Sequence, residues 1–489
     1  MHSDQAARRV RPPQPHAALS SGTFGNEERS VRNPTLTEAL VDKVLDIRYD
    51  AIPAAAVELS KKIALDGLAV MHAGATEPLG VGRLTTAYVR ASGGAPQASV
   101  VAGGFKTSMQ NAAYANGTMA HALDFDNTSY PPNHPTSPTL PAILAIAEHH
   151  RLSGRKIIEA IVAAYEVQGR LRWAATGLRT GTGFHKPSTV GMFGAVTAAA
   201  RMLDLDRQRT LMAFGIAGSR AGSLSINTGT MTKSSHSGHG ARMGVEAALL
   251  AQMGWTASPD VFGPKGFFDT FMPGDSKPER LIEGFASPLW MLDPGVGFKA
   301  YPSNGFTQRP ISGAIELHDA YGLSAEKIDR VQVIFPRFEY VNRPQPRSGL
   351  DGKFSIQYTT LVALLDGEVG VDSFTDERRF APDVVELLPK VELQFDDAIP
   401  FDKLTMHVVV HVWLKDGRQL TKRIDRLPGW PGQAGVELTA EQRHGKFYSC
   451  TRRVLDHEAA RRMLELVERL ETLPDVVEIM DIARCDAKE

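Results

Sequence analysis

Cysteine is nearly absent: only Cys450 and Cys485 occur in 489 residues. Two thiols exclude a disulfide framework, a four-cysteine zinc site and an iron–sulfur cluster held by three cysteines of this chain. A reducing, cytoplasmic setting is the simplest expectation. Neither sign of charge is in excess, since 54 lysines and arginines oppose 55 aspartates and glutamates. The net charge of -1 offers no general field for nucleic acid or anionic lipid. No apolar run approaches the roughly 18 residues that span a bilayer, and the amino terminus lacks the apolar block of a secretory signal. The chain is therefore expected to be neither anchored nor exported. A phosphate loop of the form G-x-x-x-x-G-K-[ST] is missing, and the pairs Gly181/Gly183 and Gly238/Gly240 lack the third glycine of a dinucleotide fingerprint. Ser219 lacks the G-x-S-x-G spacing of a nucleophile elbow. His236 and His239 stand three apart without an H-E-x-x-H pattern or an acidic neighbour, so no metal and no nucleotide cofactor are expected.

With 43% hydrophobic and 22% charged residues, the composition is that of an ordinary globular protein. Residues 1–35 mix Arg8, Arg9 and Arg11 with Pro12, Pro13 and Pro15 and carry no apolar period, which predicts a disordered or extended arm. Arginine-rich starts can be transit peptides, but Asp4 and the prolines oppose an amphipathic helix. Residues 36–294 read as helices rich in alanine, such as Ala54 to Ala73 and Lys156 to Arg170. Ser137 followed by Pro138 predicts a capped helix start, with Leu140, Ile143, Leu144 and Ala147 on one face and Gly154 past the end. Over residues 295–436 the period changes. Val331/Val333/Phe335, Val391/Leu393/Phe395 and the run Thr405 to Leu414 predict strands, with helical returns at Ser324 to Ile328 and Asp383 to Leu388. Asp416-Gly417 predicts a two-residue hairpin with positive φ at both positions. Residues 437–489 are helical again and can rejoin the first body. The fold class is thus mainly α with an α+β lid: a large all-helical domain plus a smaller α+β domain.

The segment from Asn116 to Ala142 is densest in candidate chemistry, with His121, Asp124, Asp126, Asn127, Thr128 and His134 running into that capped helix. Donors and histidines near a helix amino terminus suit an anionic substrate. The same residues can equally serve structure, the aspartates as caps and His134 as a turn residue before Pro135.

The run Ala120-His-Ala-Leu-Asp-Phe-Asp-Asn-Thr, then His134-Pro135, then Leu140-Pro141-Ala142, resembles the MmgE/PrpD family, which includes 2-methylcitrate dehydratase and cis-aconitate decarboxylase. Further resemblances are Phe184-His185-Lys186-Pro187-Ser188, Lys233-Ser-Ser-His236-Ser-Gly-His-Gly-Ala-Arg, Lys299-Ala-Tyr301-Pro302-Ser303 and Lys353-Phe354-Ser355-Ile-Gln-Tyr358. In this order they cover most of residues 37 to 480. The resemblance implies the same two-domain fold, a homodimer, and a site formed by Asp124, Thr128, His134, His185, Lys233, Lys299 and Tyr358, with His236 beside them. Where many members carry a cysteine or histidine after the Tyr-Pro motif and a histidine four residues further on, this chain has Asn304 and Gln308. Both are neutral at every ordinary pH and cannot exchange a proton as histidine does.

Proton removal beside a carboxylate builds charge on oxygens that are already negative, so a metal-free site must supply cations and donors. Lys233 and Lys299 fit that need, His134 is the preferred base, and His185 or Tyr358 can return a proton. Asp124 would orient a histidine, while Thr128, Lys299, His236, Asn304 and Gln308 would bind substrate. The expected activity is a cofactor-independent lyase acting on a small di- or tricarboxylate, with hydroxyl elimination leading. Decarboxylation or epimerisation is the near rival, and a non-catalytic carboxylate-binding protein the third reading.

Overall fold

The computed structural model describes residues 33–176, 183–402, 405–426, 429–430 and 437–486. The expected arm at 1–35 lies almost wholly outside the described residues. Residues from Thr35 onward form one compact unit. Its largest core takes side chains from Leu40 to Phe298 and then again from Phe447 to Ala483, so the carboxyl-terminal helices bury their apolar faces with the first body. A second core, from Ile311 to Ile424, lies under a four-stranded sheet. The molecule is mainly α with a small α+β part. Among the described residues no helix is long and apolar enough to cross a membrane.

The sheet runs in the order Val391–Phe395, Ile328–Phe335, Val408–Leu414, Gln419–Ile424. The first pair is parallel and the others antiparallel. Alternate residues Val408, Val410, Val412 and Leu414 are buried, as period-2 patterning requires. Their face packs beneath the helices Gln308–Tyr321 and Ile356–Asp366. Three local expectations are corrected. The third strand begins at Val408 rather than Thr405. Ser324 to Ile328 makes a single turn, with Lys327 N and Ile328 N donating to the Ser324 carbonyl, and Ile328 already opens a strand. At the hairpin only Gly417 has positive φ, at +89°. Leu414 N donates to Arg418 O across Lys415-Asp416-Gly417, which makes a three-residue loop closed by a left-handed glycine in place of the two-residue turn.

In the helical body, the helix expected from Ser137 begins at Thr136, with Pro135 half in. Ser137 turns its hydroxyl to Ser237 Oγ at 3.0 Å instead of capping. Every residue from Thr136 to Glu148 is buried, so one apolar face understates its surroundings. The helix ends on Arg151 in the left-handed region, and Gly154 is the first residue of the next helix, Gly154–Ala174.

Two central helices, Met109–His121 and Met231–Gln252, cross where Gly117 meets Gly238. A methyl group on Gly238 would collide with Thr118 Oγ1 and the Tyr114 carbonyl. This contact also brings Lys233 against His121. Gly238→Ala is expected to cost about 1–3 kcal/mol through overpacking, read as a lower urea midpoint at unchanged slope.

Candidate active site

Five separate stretches of chain meet at the floor of one cavity of about 530 Å3. The first is the loop between Met109–His121 and Thr136–His150, carrying Asp124, Asp126, Thr128 and His134. Asp124 sits at φ +49°, a left-handed conformation that aspartate tolerates better than most residues. Thr128 and Ser129 pair with Gly297 and Val296 in a short antiparallel ladder, which delivers Lys299 onto Asp124. His185 precedes the turn Lys186–Thr189. Lys233 lies in the first turn of Met231–Gln252. Asn304 comes from the loop before Gln308–Tyr321.

Asp124 is the hub. Its Oδ1 lies 2.6 Å from Lys299 Nζ and 3.4 Å from His134 Nε2, and its Oδ2 lies 3.3 Å from Lys233 Nζ. Asn304 Nδ2 donates to Oδ2 at 3.4 Å. Lys233 Nζ donates to His121 Nε2 at 2.8 Å, so His121 Nδ1 carries the proton given to Asp126 Oδ1 at 3.0 Å. His134 Nδ1 stands 3.2 Å from Asp126 Oδ2. Behind this group His185 and His236 share one proton between Nδ1 atoms 3.0 Å apart, which sets them in complementary tautomers. From the far side Lys446 binds Asp66 at 2.7 Å and donates to the carbonyls of Phe125 and Lys299 at 3.0 and 3.1 Å, bracing both arms of the site.

Burial opposes charge at Asp124, but the Lys233 and Lys299 ammoniums outweigh it and hold the carboxyl well below the usual range. Asp126 is likewise held low by His134 and His121 against burial. Burial together with the Lys233 ammonium pulls His121 down to about 4 and His185 well below its ordinary value. Burial lowers His134 too, against the pull of Asp126. Burial lowers Lys233, with Asp124 opposing.

Asp124, Thr128, His134, His185, Lys233, Lys299 and Asn304 are brought together. Three expected residues are placed differently. Tyr358 is buried in the smaller core and its hydroxyl donates to the Ser373 carbonyl at 2.5 Å, so it does not line the cavity. The aromatic hydroxyl at the cavity is that of Tyr340, which sequence patterning did not single out. Gln308 accepts from Ala300 N and Tyr301 N at 3.1 Å and donates to the Tyr301 carbonyl, bracing the Lys299 loop away from the cavity. His236 backs His185 from outside the lining. Tyr358→Phe is expected to cost about 1–2 kcal/mol of stability with kcat little changed, whereas Tyr340→Phe should lower turnover; thermal melts and initial rates separate the two.

Ligand atoms of His121, Asp124, Asp126 and His134 all lie within 4.8 Å of one another, close enough to share a cation. Both oxygens of Asp124 already face ammoniums, however, and a divalent ion there would sit directly against Lys233 and Lys299. The donor set therefore fits a divalent metal poorly.

A helical body joined to an α+β unit, with a lysine–aspartate–histidine floor, defines a site suited to binding carboxylates. Residues 38–280 match the MmgE/PrpD N-terminal domain and residues 301–472 the MmgE/PrpD C-terminal domain. The chain belongs to the MmgE/PrpD family. It is 30% identical to cis-aconitate decarboxylase of Mus musculus over 456 residues, covering 90% of this chain and 92% of that protein. To cis-aconitate decarboxylase of Homo sapiens it is 33% identical over 377 residues, 74% of this chain and 77% of the relative. A mitochondrial 2-methylcitrate dehydratase of Yarrowia lipolytica is 24% identical over 339 residues, 63% of this chain and 64% of the relative.

Proposed function

We propose that this protein is a metal- and cofactor-independent lyase acting on a small tricarboxylate, and that its reaction is decarboxylation of a cis-aconitate-like acid. The observation that carries this reading is the convergence of two buried ammoniums on Asp124 beside His134 at the floor of the cavity. In such an acid the bond from a methylene carbon to its carboxylate breaks and carbon dioxide leaves. The electron pair forms a new alkene, and the original alkene electrons move to the carbon beside a second carboxylate. Lys233 and Lys299 stabilise the charge that spreads onto that carboxylate. A proton from His134 then quenches the carbanion, and Asp124 and Asp126 stabilise the imidazolium before transfer.

Dehydration of a 2-methylcitrate-like acid is the second reading, favoured by the similarity to the Yarrowia lipolytica dehydratase. It needs an acid for the departing hydroxide. Asn304 and Gln308 cannot supply one, and Gln308 is committed to backbone groups. The two readings also differ in pH dependence. A donor His134 is active below its lowered pKa, so the rate falls as pH rises through that value. A base His134 is active above it, so the rate falls as pH drops.

Incubation with cis-aconitate and with 2-methylcitrate, followed by proton NMR and carbon dioxide release, tests the proposal. A five-carbon alkene diacid with stoichiometric carbon dioxide is expected from cis-aconitate. Water loss from 2-methylcitrate without carbon dioxide would establish the second reading, and no turnover of either acid would overturn both.

A further inference from the structure

Three lysines line the cavity, and only two of their ammoniums are engaged with Asp124. The third belongs to Lys186, which follows His185 directly and stands with Pro132 and Pro187 on the cavity wall. Among the described residues no carboxylate pairs with it. The charged neighbour that acts on it is Arg172, a like charge, whose Nε donates to the Pro132 carbonyl at 3.2 Å. Burial and that guanidinium pull the Lys186 ammonium down to about 7. An unpaired cation held beside another cation is costly unless something anionic arrives to balance it. The cavity is where such an anion would enter. A substrate with several carboxylates has more anionic groups than the Lys233–Lys299 pair can hold, because that pair already shares the Asp124 charge.

We propose that Lys186 is a specificity-determining residue: its ammonium binds a substrate carboxylate other than the one held at Lys233 and Lys299, so the site selects acids with at least two carboxylates over monocarboxylates. The inference rests on reading the cavity as a lyase site for such acids. It assigns Lys186 to recognition and the floor to chemistry. Removal of its charge should then act on KM and binding more than on kcat.

The test uses the full chain, with Lys186→Met and Lys186→Arg. Binding of tricarballylate, a saturated tricarboxylate with neither alkene nor hydroxyl to lose, is measured by calorimetry, and turnover of cis-aconitate by initial rates. Lys186→Met is expected to weaken tricarballylate about 10- to 100-fold and to raise KM for cis-aconitate comparably, with kcat within about 3-fold. Lys186→Arg should recover most of the affinity, and binding of a monocarboxylate such as crotonate should change less than about 3-fold. Should Lys186→Met fail to fold, Lys186→Gln, which keeps a polar head without the charge, carries the same expectation. Tricarballylate binding equal to wild type in the charge-free variant would overturn the assignment to Lys186, and the lyase reading would stand if wild type still turned over cis-aconitate. Lys186-dependent binding by a protein that turns over no acid would support Lys186 and overturn the lyase reading. A wild-type protein that neither binds nor converts these acids would overturn both.

Discussion

Lys233→Met should lower kcat by roughly 10^2- to 10^3-fold, with a smaller change in KM. The Lys233 ammonium is buried, lies 3.3 Å from Asp124 and 2.8 Å from His121 Nε2, and stands 5.0 Å over the Phe354 ring. In a water-excluded site of this kind, a fixed positive charge acts most strongly on charge that develops during the reaction. Methionine keeps much of the volume and removes the charge together with the hydrogen bond to His121. Lys233→Arg is not expected to restore the rate, because a guanidinium is larger and flat where a compact ammonium is enclosed. Initial rates over a range of substrate concentrations read the split. A companion pH profile adds a sign. The ammonium is needed charged and burial lowers its pKa from 10.5, so wild-type activity should fall as pH rises through that lowered value. The alkaline limb assigned to Lys233 should vanish from the residual activity of Lys233→Met.

Asp124→Asn is expected to destabilise the protein by about 3–5 kcal/mol, the scale for leaving a buried charge without its partner. Here two ammoniums and an imidazole lose one shared carboxylate, and the amide that replaces it carries no charge. Urea denaturation measures the loss, and a cycle with Lys299→Met separates pair from singles. The double variant should be less destabilised than the sum of the two, since removing Lys299 relieves part of the uncompensated charge. The pH dependence follows from the direction of the shift. Asp124 has its folded pKa depressed, so its contribution is fully present above the unfolded value of about 3.8 and is lost as pH falls toward the lower folded value. Acid unfolding of wild type should therefore be steeper than that of Asp124→Asn. Equal midpoints for wild type and Asp124→Asn would mean that the lysines do not depend on this carboxylate.

Much of the fold is written in period and composition, because helices and strands of this size bury residues at spacings that one chain can display. The alternating Val331, Val333 and Phe335 predicted their strand in this way. The hairpin was legible as a hairpin but its turn type was not, since Asp-Gly suits a two-residue loop and equally the tail of a three-residue loop, and strand register decides between them. Ser324 to Ile328 failed for a related reason: a single polar turn and the first turn of a helix have the same local composition.

The floor of the site was legible from motifs scattered over nearly 200 residues, from Asp124 to Asn304. What motifs could not give was direction. Tyr358 and Lys353 belong to one motif, yet the tyrosine turns into the smaller core while Lys353 donates to the Ala122 carbonyl at 3.2 Å, behind Asp124. Lys353 follows the short turn Gly349–Gly352, whereas Tyr358 lies in the first turn of the helix capped by Ser355, so the two side chains leave from different elements. Gln308 stands where a proton-carrying side chain would be expected and instead holds backbone amides. Lys186 sits inside the Phe184 to Ser188 motif, but only the absence of a pairing acid among the described residues, visible in three dimensions, distinguishes it from an ordinary solvated lysine.

In the proposed reaction lysine ammoniums, unaided by a metal ion, stabilise the carbanion that His134 quenches. Its most direct test is turnover of cis-aconitate in D2O by protein stripped with a chelator and assayed for residual metal, followed by proton NMR. An undiminished rate is expected, with a single deuterium on the saturated carbon beside a carboxylate of the product. A rate abolished by chelation and restored by added zinc would contradict it.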